Sequence, residues 1–311
     1  MATPEMRAVY AETLIELAEK NPDIVILEAD LMKATGTGVF KEKFPDRAIN
    51  VGVAESNMLS VAGGLSAEGK IPFAATFGCF AARRALDQFF ISCAYAKLNV
   101  KLVGTDPGVS AAFNGGTHMP FEDLAIMRAV PQIDIVEPSD PVSLKALVKK
   151  LAERKNSAYL RLHRKALEPI YDASEQFEIG KAKLLKNGND ICIVALGGLM
   201  VRESLRAHAM LAEFGIDAAV VDALSLKPFD RETIALAMQG KNLVVTAENH
   251  QINGALGSAV AEIIAEQGGP RLVRVGINDE FGEVGTEAYL LERFKLRGED
   301  IVQRIREVLK K

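Results

Sequence analysis

Short runs of consecutive apolar residues alternate along this chain with stretches whose apolar positions recur at helical spacing. In the first half the runs are 23–28, 49–51, 72–75, 100–103, 133–136 and 158–161, and in the second half 191–195, 218–221, 243–245 and 272–275. A continuous apolar run, in place of apolar and polar residues in alternation, suits a strand covered on both faces, and a helix between successive strands makes neighbours parallel. Helices are expected over 4–19, 55–68 and 121–129. The pattern predicts an α/β fold of two domains with parallel or mostly parallel sheets. The rhythm breaks between them, where Pro169, Gly180 and mixed charges mark a linker over 166–188. The domains are therefore expected at 1–165 and 189–311.

Composition removes several function classes. Of 311 residues 25% are charged, with a net charge of -4, and no Lys/Arg cluster is dense enough to follow a phosphate backbone, so no nucleic-acid partner is expected. No run approaches the roughly 18 apolar residues of a membrane span, and residues 1–7 lack an apolar signal core, so a cytoplasmic protein without a membrane partner is expected. Cys79, Cys93 and Cys192 are isolated in sequence, which suits core thiols in a reducing compartment better than a disulfide framework or a zinc site. No metal ligands are expected from this chain.

Ligands of parallel sheets gather outside the carboxyl ends of the strands. Asp30 follows the first run, Glu55 the second, Phe77 the third and the loop 105–120 the fourth. Each has an alternative reading. An acid such as Glu55 in a first helical turn is favoured by the helix dipole in any protein. Phe77 and Phe80 suit core packing, and His118 could cap the following helix. Gly36-Thr37-Gly38 lacks the third glycine of a dinucleotide loop. The glycines of 253–258, opening a helix after a strand, suit either an anion or close helix packing.

Three stretches in this order, Ile49-Asn50-Val51-Gly52-Val53-Ala54-Glu55-Ser56-Asn57-Met58, Thr76-Phe77-Gly78-Cys79-Phe80 and Gly115-Gly116-Thr117-His118-Met119-Pro120, resemble the pyrimidine-binding half of the transketolases. Glu248-Asn249-His250 and Phe281-Gly282 resemble that family's carboxyl-terminal domain. The resemblance implies a pyrimidine-binding thiamine diphosphate domain followed by a transketolase carboxyl-terminal domain. It implies that Glu55 bonds the cofactor's pyrimidine ring nitrogen and drives activation by proton transfer. Asp30, Phe77, Phe80 and Arg83 would join Glu55 in binding the cofactor, with Phe77 and Phe80 stacked on the pyrimidine. Arg83 stands where a third aromatic ring often follows. Arg7 and Arg164 would hold a sugar phosphate, and His118 would meet the sugar hydroxyls as a second catalytic residue. Asn114 and Asp106 replace an aspartate and a histidine at two further substrate positions.

The family holds the diphosphate and its divalent metal with a Gly-Asp-Gly motif, and none occurs in these 311 residues. The chain begins almost at the pyrimidine domain. It therefore resembles the carboxyl-terminal subunit of a split transketolase, inactive without an amino-terminal subunit that carries the diphosphate site and supplies Mg or Ca, the two forming an α2β2 heterotetramer. The implied activity is transfer of a two-carbon ketol unit between ketose and aldose phosphates, as in pentose phosphate metabolism. Alternatives are an enzyme like 1-deoxyxylulose-5-phosphate synthase, a 2-oxo acid dehydrogenase beta subunit, or a non-catalytic assembly subunit. Glu55 beside the aromatic and histidine stations argues against the last.

Overall fold

The computed structural model describes residues 3–309. Its strands are β1 (Ile24–Glu28), β2 (Ala48–Asn50), β3 (Ile71–Phe77), β4 (Lys101–Thr105), β5 (Asp134–Val136), β6 (Ala158–Leu162), β7 (Lys183–Lys186), β8 (Ile191–Leu196), β9 (Ala218–Asp222), β10 (Ser225–Lys227), β11 (Leu243–Gln251) and β12 (Arg271–Ile277). They build two sheets, ordered β10-β5-β6-β4-β3-β1-β2 and β12-β11-β8-β9-β7. All neighbours run parallel except at two edges, where β10 pairs antiparallel with β5 and β7 with β9. The expected class of two mostly parallel α/β units is observed.

Two edges differ from the pattern reading. Lys183–Lys186 lies inside the stretch read as a linker, yet it is an edge strand of the second sheet. Its residues alternate between half-buried and exposed, so it lacks the continuous apolar run of a central strand. β10 follows a second-sheet strand but crosses back to complete the first sheet, pairing Ser225 with Val136.

Each sheet is covered on both faces. On one side of the first, helix Met6–Lys20 packs beside helix Pro141–Glu153 over Tyr10, Leu14, Phe73, Val103, Leu144 and Val148. The second of these helices starts sharply because Asp140 and Ser143 form a reciprocal capping box with Pro141 at its first position. On the other side, Met58, Leu59, Phe89 and Leu102 belong to an apolar cluster that continues into the second unit through Val194, Val221, Val244 and Leu256. All three cysteines are buried thiols, and burial pushes each up to about 12.

One polar group sits where the two units meet. The guanidinium of Arg161, on β6, is fully buried. Its Nε donates to Asp123 Oδ2 at 2.8 Å and one terminal nitrogen to Asp123 Oδ1 at 3.0 Å. The other donates to both oxygens of Glu137 at 3.1 Å, while the carbonyls of Pro120 and Asn249 accept at 3.1 and 3.0 Å. Tyr159 adds a hydroxyl on Asp123 at 2.8 Å. Removing one partner from such a group leaves buried carboxylates without compensation. Arg161→Met should therefore destabilise the chain by about 3–5 kcal/mol, read as a lowered urea midpoint. An unchanged midpoint would refute this role for the network.

Candidate functional site

The candidate residues stand at the carboxyl ends of β1 to β4 and β6. Glu55 opens helix Glu55–Ala67 and is buried, in contrast to a solvated residue that merely complements a dipole. Its Oε1 accepts from Arg84 at 3.0 Å, and the Arg84 guanidinium lies 3.8 Å from the Phe80 ring centroid. Phe77 and Phe80 are half-buried rather than core residues, with centroids 5.9 Å apart. The imidazole of His118 makes T-shaped contacts with both, at 6.0 and 5.2 Å between centroids. Its Nδ1 meets Thr117 Oγ1 at 2.9 Å, so it does not cap the following helix. Arg164 lies 5.7 Å from the Phe77 centroid and pairs through Nε with Asp106 at 3.0 Å. Glu55, Arg84, Phe80, His118, Phe77, Arg164 and Asp106 thus form one chain of contacts.

Arg7 joins this group through the backbone, its N–H donating to the Arg164 carbonyl at 3.2 Å. Its side chain pairs with Glu5 at 2.7 Å and donates to the Ala34 carbonyl at 3.2 Å. The Gly36-Thr37-Gly38 stretch is a brace for this segment. Thr35 and Thr37 donate to the buried Glu28 at 2.7 and 2.6 Å, and a Cβ on Gly36, whose φ is +80°, would stand 3.2 Å from the Arg7 carbonyl. Burial pushes the Glu28 carboxyl up to about 7.

Asp30 is exposed, with a φ of 62°, and its N–H and carboxylate are both held by the Asn50 amide. Asn114 is exposed on the loop after β4. Arg83 does not face the aromatic pair. It pairs with Glu122 and donates to the carbonyls of Thr117 and Met119 at 3.0 and 3.1 Å, fastening the His118 loop. The arginine on the aromatic face is its neighbour Arg84, which sequence reasoning missed although the tandem pair lies only three and four residues beyond Phe80.

The electrostatics are balanced. Burial raises the Asp106 carboxyl, opposed by Arg164. Burial holds His163 down to about 3, with Arg202, Lys165 and Arg164 adding to that effect, so it is neutral at ordinary pH. The cationic end is therefore carried by Arg7, Arg164, Lys165 and Arg202, partly offset by Asp106 and Glu287. The glycines at 253–258 serve packing and capping: the buried Glu248 accepts from the N–H groups of Leu256 and Gly257 at 2.9 and 2.8 Å, so the chain's own carboxylate occupies that helix start. Among the described residues no helix is long and apolar enough to cross a membrane.

An aromatic pair above a buried carboxylate fits a flat heteroaromatic ring, and the arginines at the far end fit an anionic tail. Residues 2–169 match the family described as "Transketolase, pyrimidine binding domain" and residues 180–301 the "Transketolase, C-terminal domain". The chain is 46% identical over 303 residues to the 6-deoxy-6-sulfo-D-fructose transketolase subunit of Clostridium sp. (strain MSTE9), covering 97% of this chain and 94% of that one. It is 45% identical to a putative transketolase C-terminal section of Methanocaldococcus jannaschii, covering 98% and 96%. Human transketolase is 32% identical, with 98% of this chain matching 49% of its length. A solved split-gene transketolase, described as an inactive beta4 tetramer, superposes with a TM-score of 0.90 at 43% identity over 99% of both chains. The chain belongs to the transketolase family, whose members depend on thiamine diphosphate, and corresponds over nearly its whole length to proteins named as carboxyl-terminal sections or subunits of that family.

Proposed function

We propose that this chain is the carboxyl-terminal subunit of a split transketolase, which with an amino-terminal partner moves a two-carbon ketol unit from a ketose phosphate to an aldose phosphate. The observation that carries this reading is the single contact chain from Glu55 through Phe80 and His118 to Arg164, which spans a ring site, a hydroxyl site and an anion site. Phe77 and Phe80 would stack on the pyrimidine of thiamine diphosphate, and Glu55 would hold a proton at its ring nitrogen. When bound, that group supplies the nucleophilic carbon for the ketose carbonyl. Arg84 fixes the Glu55 carboxylate. His118 orients the sugar hydroxyls, and Arg7 and Arg164 grip the anionic tail. The partner would hold the diphosphate and its Mg or Ca, as the lack of Gly-Asp-Gly and the inactivity ascribed to the beta4 tetramer suggest.

A sugar sulfonate is the second reading for the tail. Asp106 already neutralises part of the Arg164 charge, which suits a monoanion better than a dianion, and the relative from Clostridium is named for a 6-sulfo sugar.

Calorimetric titration of the isolated chain with thiamine diphosphate and magnesium should give no tight binding until the partner is added; micromolar binding by this chain alone would overturn the split reading. Glu55→Gln should leave fold and assembly intact while activity of the reconstituted enzyme falls by about 10²–10⁴. Exchange of the thiazolium proton at the wild-type rate, followed by NMR, would remove Glu55 from that role. Arg164→Ala should raise KM for a phosphorylated acceptor roughly ten- to a hundredfold, the worth of a charge-assisted contact, with little effect on an unphosphorylated one. Parallel kinetics on a 6-phospho and a 6-sulfo ketose decide between the two tails.

A further inference from the structure

The loop after β4 is under backbone strain at the positions that matter most. Asp106, Gly108, Ala112 and Gly115 all have positive φ, at 58°, 52°, 48° and 78°, and two of the four carry a side chain. Such conformations persist only where surrounding structure over-determines them. Asp106, Asn114 and His118 all lie on this loop, so whatever imposes its shape also sets the substrate end of the site.

The restraint comes from the second unit. Asn249, on β11 and buried, accepts from the Val109 N–H through Oδ1 at 2.9 Å and donates through Nδ2 to the Pro107 carbonyl at 2.8 Å. It thereby brackets Gly108, where an added Cβ would lie 2.1 Å from Asn249 Oδ1 and 2.4 Å from its carbonyl oxygen. That carbonyl in turn accepts from Arg161. A second contact falls beside His118: a Cβ on Gly116 would lie 2.1 Å from the Gly282 carbonyl oxygen, and one on Gly282 would lie 2.3 Å from Met119 Sδ. Neither Asn249 nor Gly282 touches the ring or anion end described above.

We propose that Asn249, supported by the Gly116–Gly282 contact, is a positioning residue of the second domain that holds the 106–118 loop in its reactive shape. The second domain then acts in the reaction as the template for the substrate loop. This rests on the transketolase reading for what the loop binds, but not for the positioning itself.

Two measurements on Asn249→Ala test it. The first is NMR of the histidine rings in the isolated chain, which has four histidines. The His118 resonances, displaced by the edge contacts with Phe77 and Phe80, should move, while those of His208, whose Nδ1 meets the Ala218 carbonyl on the far side of the second unit, should stay. The second is kinetics of the reconstituted enzyme. There kcat/KM for the sugar should fall between about tenfold and a hundredfold, as expected of a displacement of about 1 Å, while the thiazolium proton exchange that reports on Glu55 stays at the wild-type rate. Asn249→Asp keeps the acceptor for Val109 but sets a buried carboxylate oxygen against the Pro107 carbonyl, so it should perturb both readouts at least as far as alanine does. Should Asn249→Ala fail to fold, Gly282→Ala, whose Cβ would meet Met119 Sδ beside His118, carries the same comparison.

Unmoved His118 resonances, unaltered sugar kinetics, or a proton-exchange rate that falls as far as kcat/KM would each overturn the proposal. Moved His118 resonances in an assembly without ketol transfer would uphold the positioning and overturn the functional reading.

Discussion

The placement of Arg161 is the constraint from which the rest follows. A guanidinium removed from water must have its charge and its donors satisfied together. Here they are met by carboxylates from a helix and from the end of β5, by a loop carbonyl and by a carbonyl of the second unit. No partner can drift without exposing an unpaired charge in a dry interior. The end of β11 is thereby tied to β6 through the Asn249 carbonyl, and with it the direction in which Asn249 projects. The buried ion network thus supplies geometry more than stability, because isolated buried pairs gain little net free energy over apolar packing.

The same economy governs the site. Its parts are flat rings with cations against them, Arg84 3.8 Å from the Phe80 centroid and Arg164 5.7 Å from that of Phe77, and a guanidinium so placed still has N–H donors for carboxylates or a ligand. Asp106 and Glu55 each take one such donor. Arginine suits this better than lysine, since a point ammonium could not stack and fork at once.

What could be read from the chain follows from the range of the interactions involved. The central strands were legible because burial on both faces leaves a continuous apolar run. The edge strands β7 and β10 were not: Lys183–Lys186 and Ser225–Lys227 carry polar residues at their ends in place of a continuous apolar run, and each is defined by its antiparallel partner. Glu55, Phe77, Phe80 and His118 announced themselves through local stretches at strand ends. Arg83 and Arg84 are adjacent and chemically identical, so only the helical rotation at residues 78–83 decides which faces the rings and which ties down the loop. Asn249 was visible as part of a motif, but its task depends on Val109, 140 residues away, and on a positive φ at Gly108 that no pattern of apolar residues encodes.

The rim of the site points the same way. Val53, Phe113, Phe281 and Val284 flank its loops and are each at least 65% exposed. Apolar side chains grouped on a surface carry a solvation cost that a lone surface leucine does not, and such groups mark interaction surfaces. The two buried carboxylates of the site, by contrast, are paired, Glu55 with Arg84 and Asp106 with Arg164. Paired groups of this kind can be held rigid before any assembly, because the second domain, through Asn249, and Arg161 supply that rigidity from within the same chain.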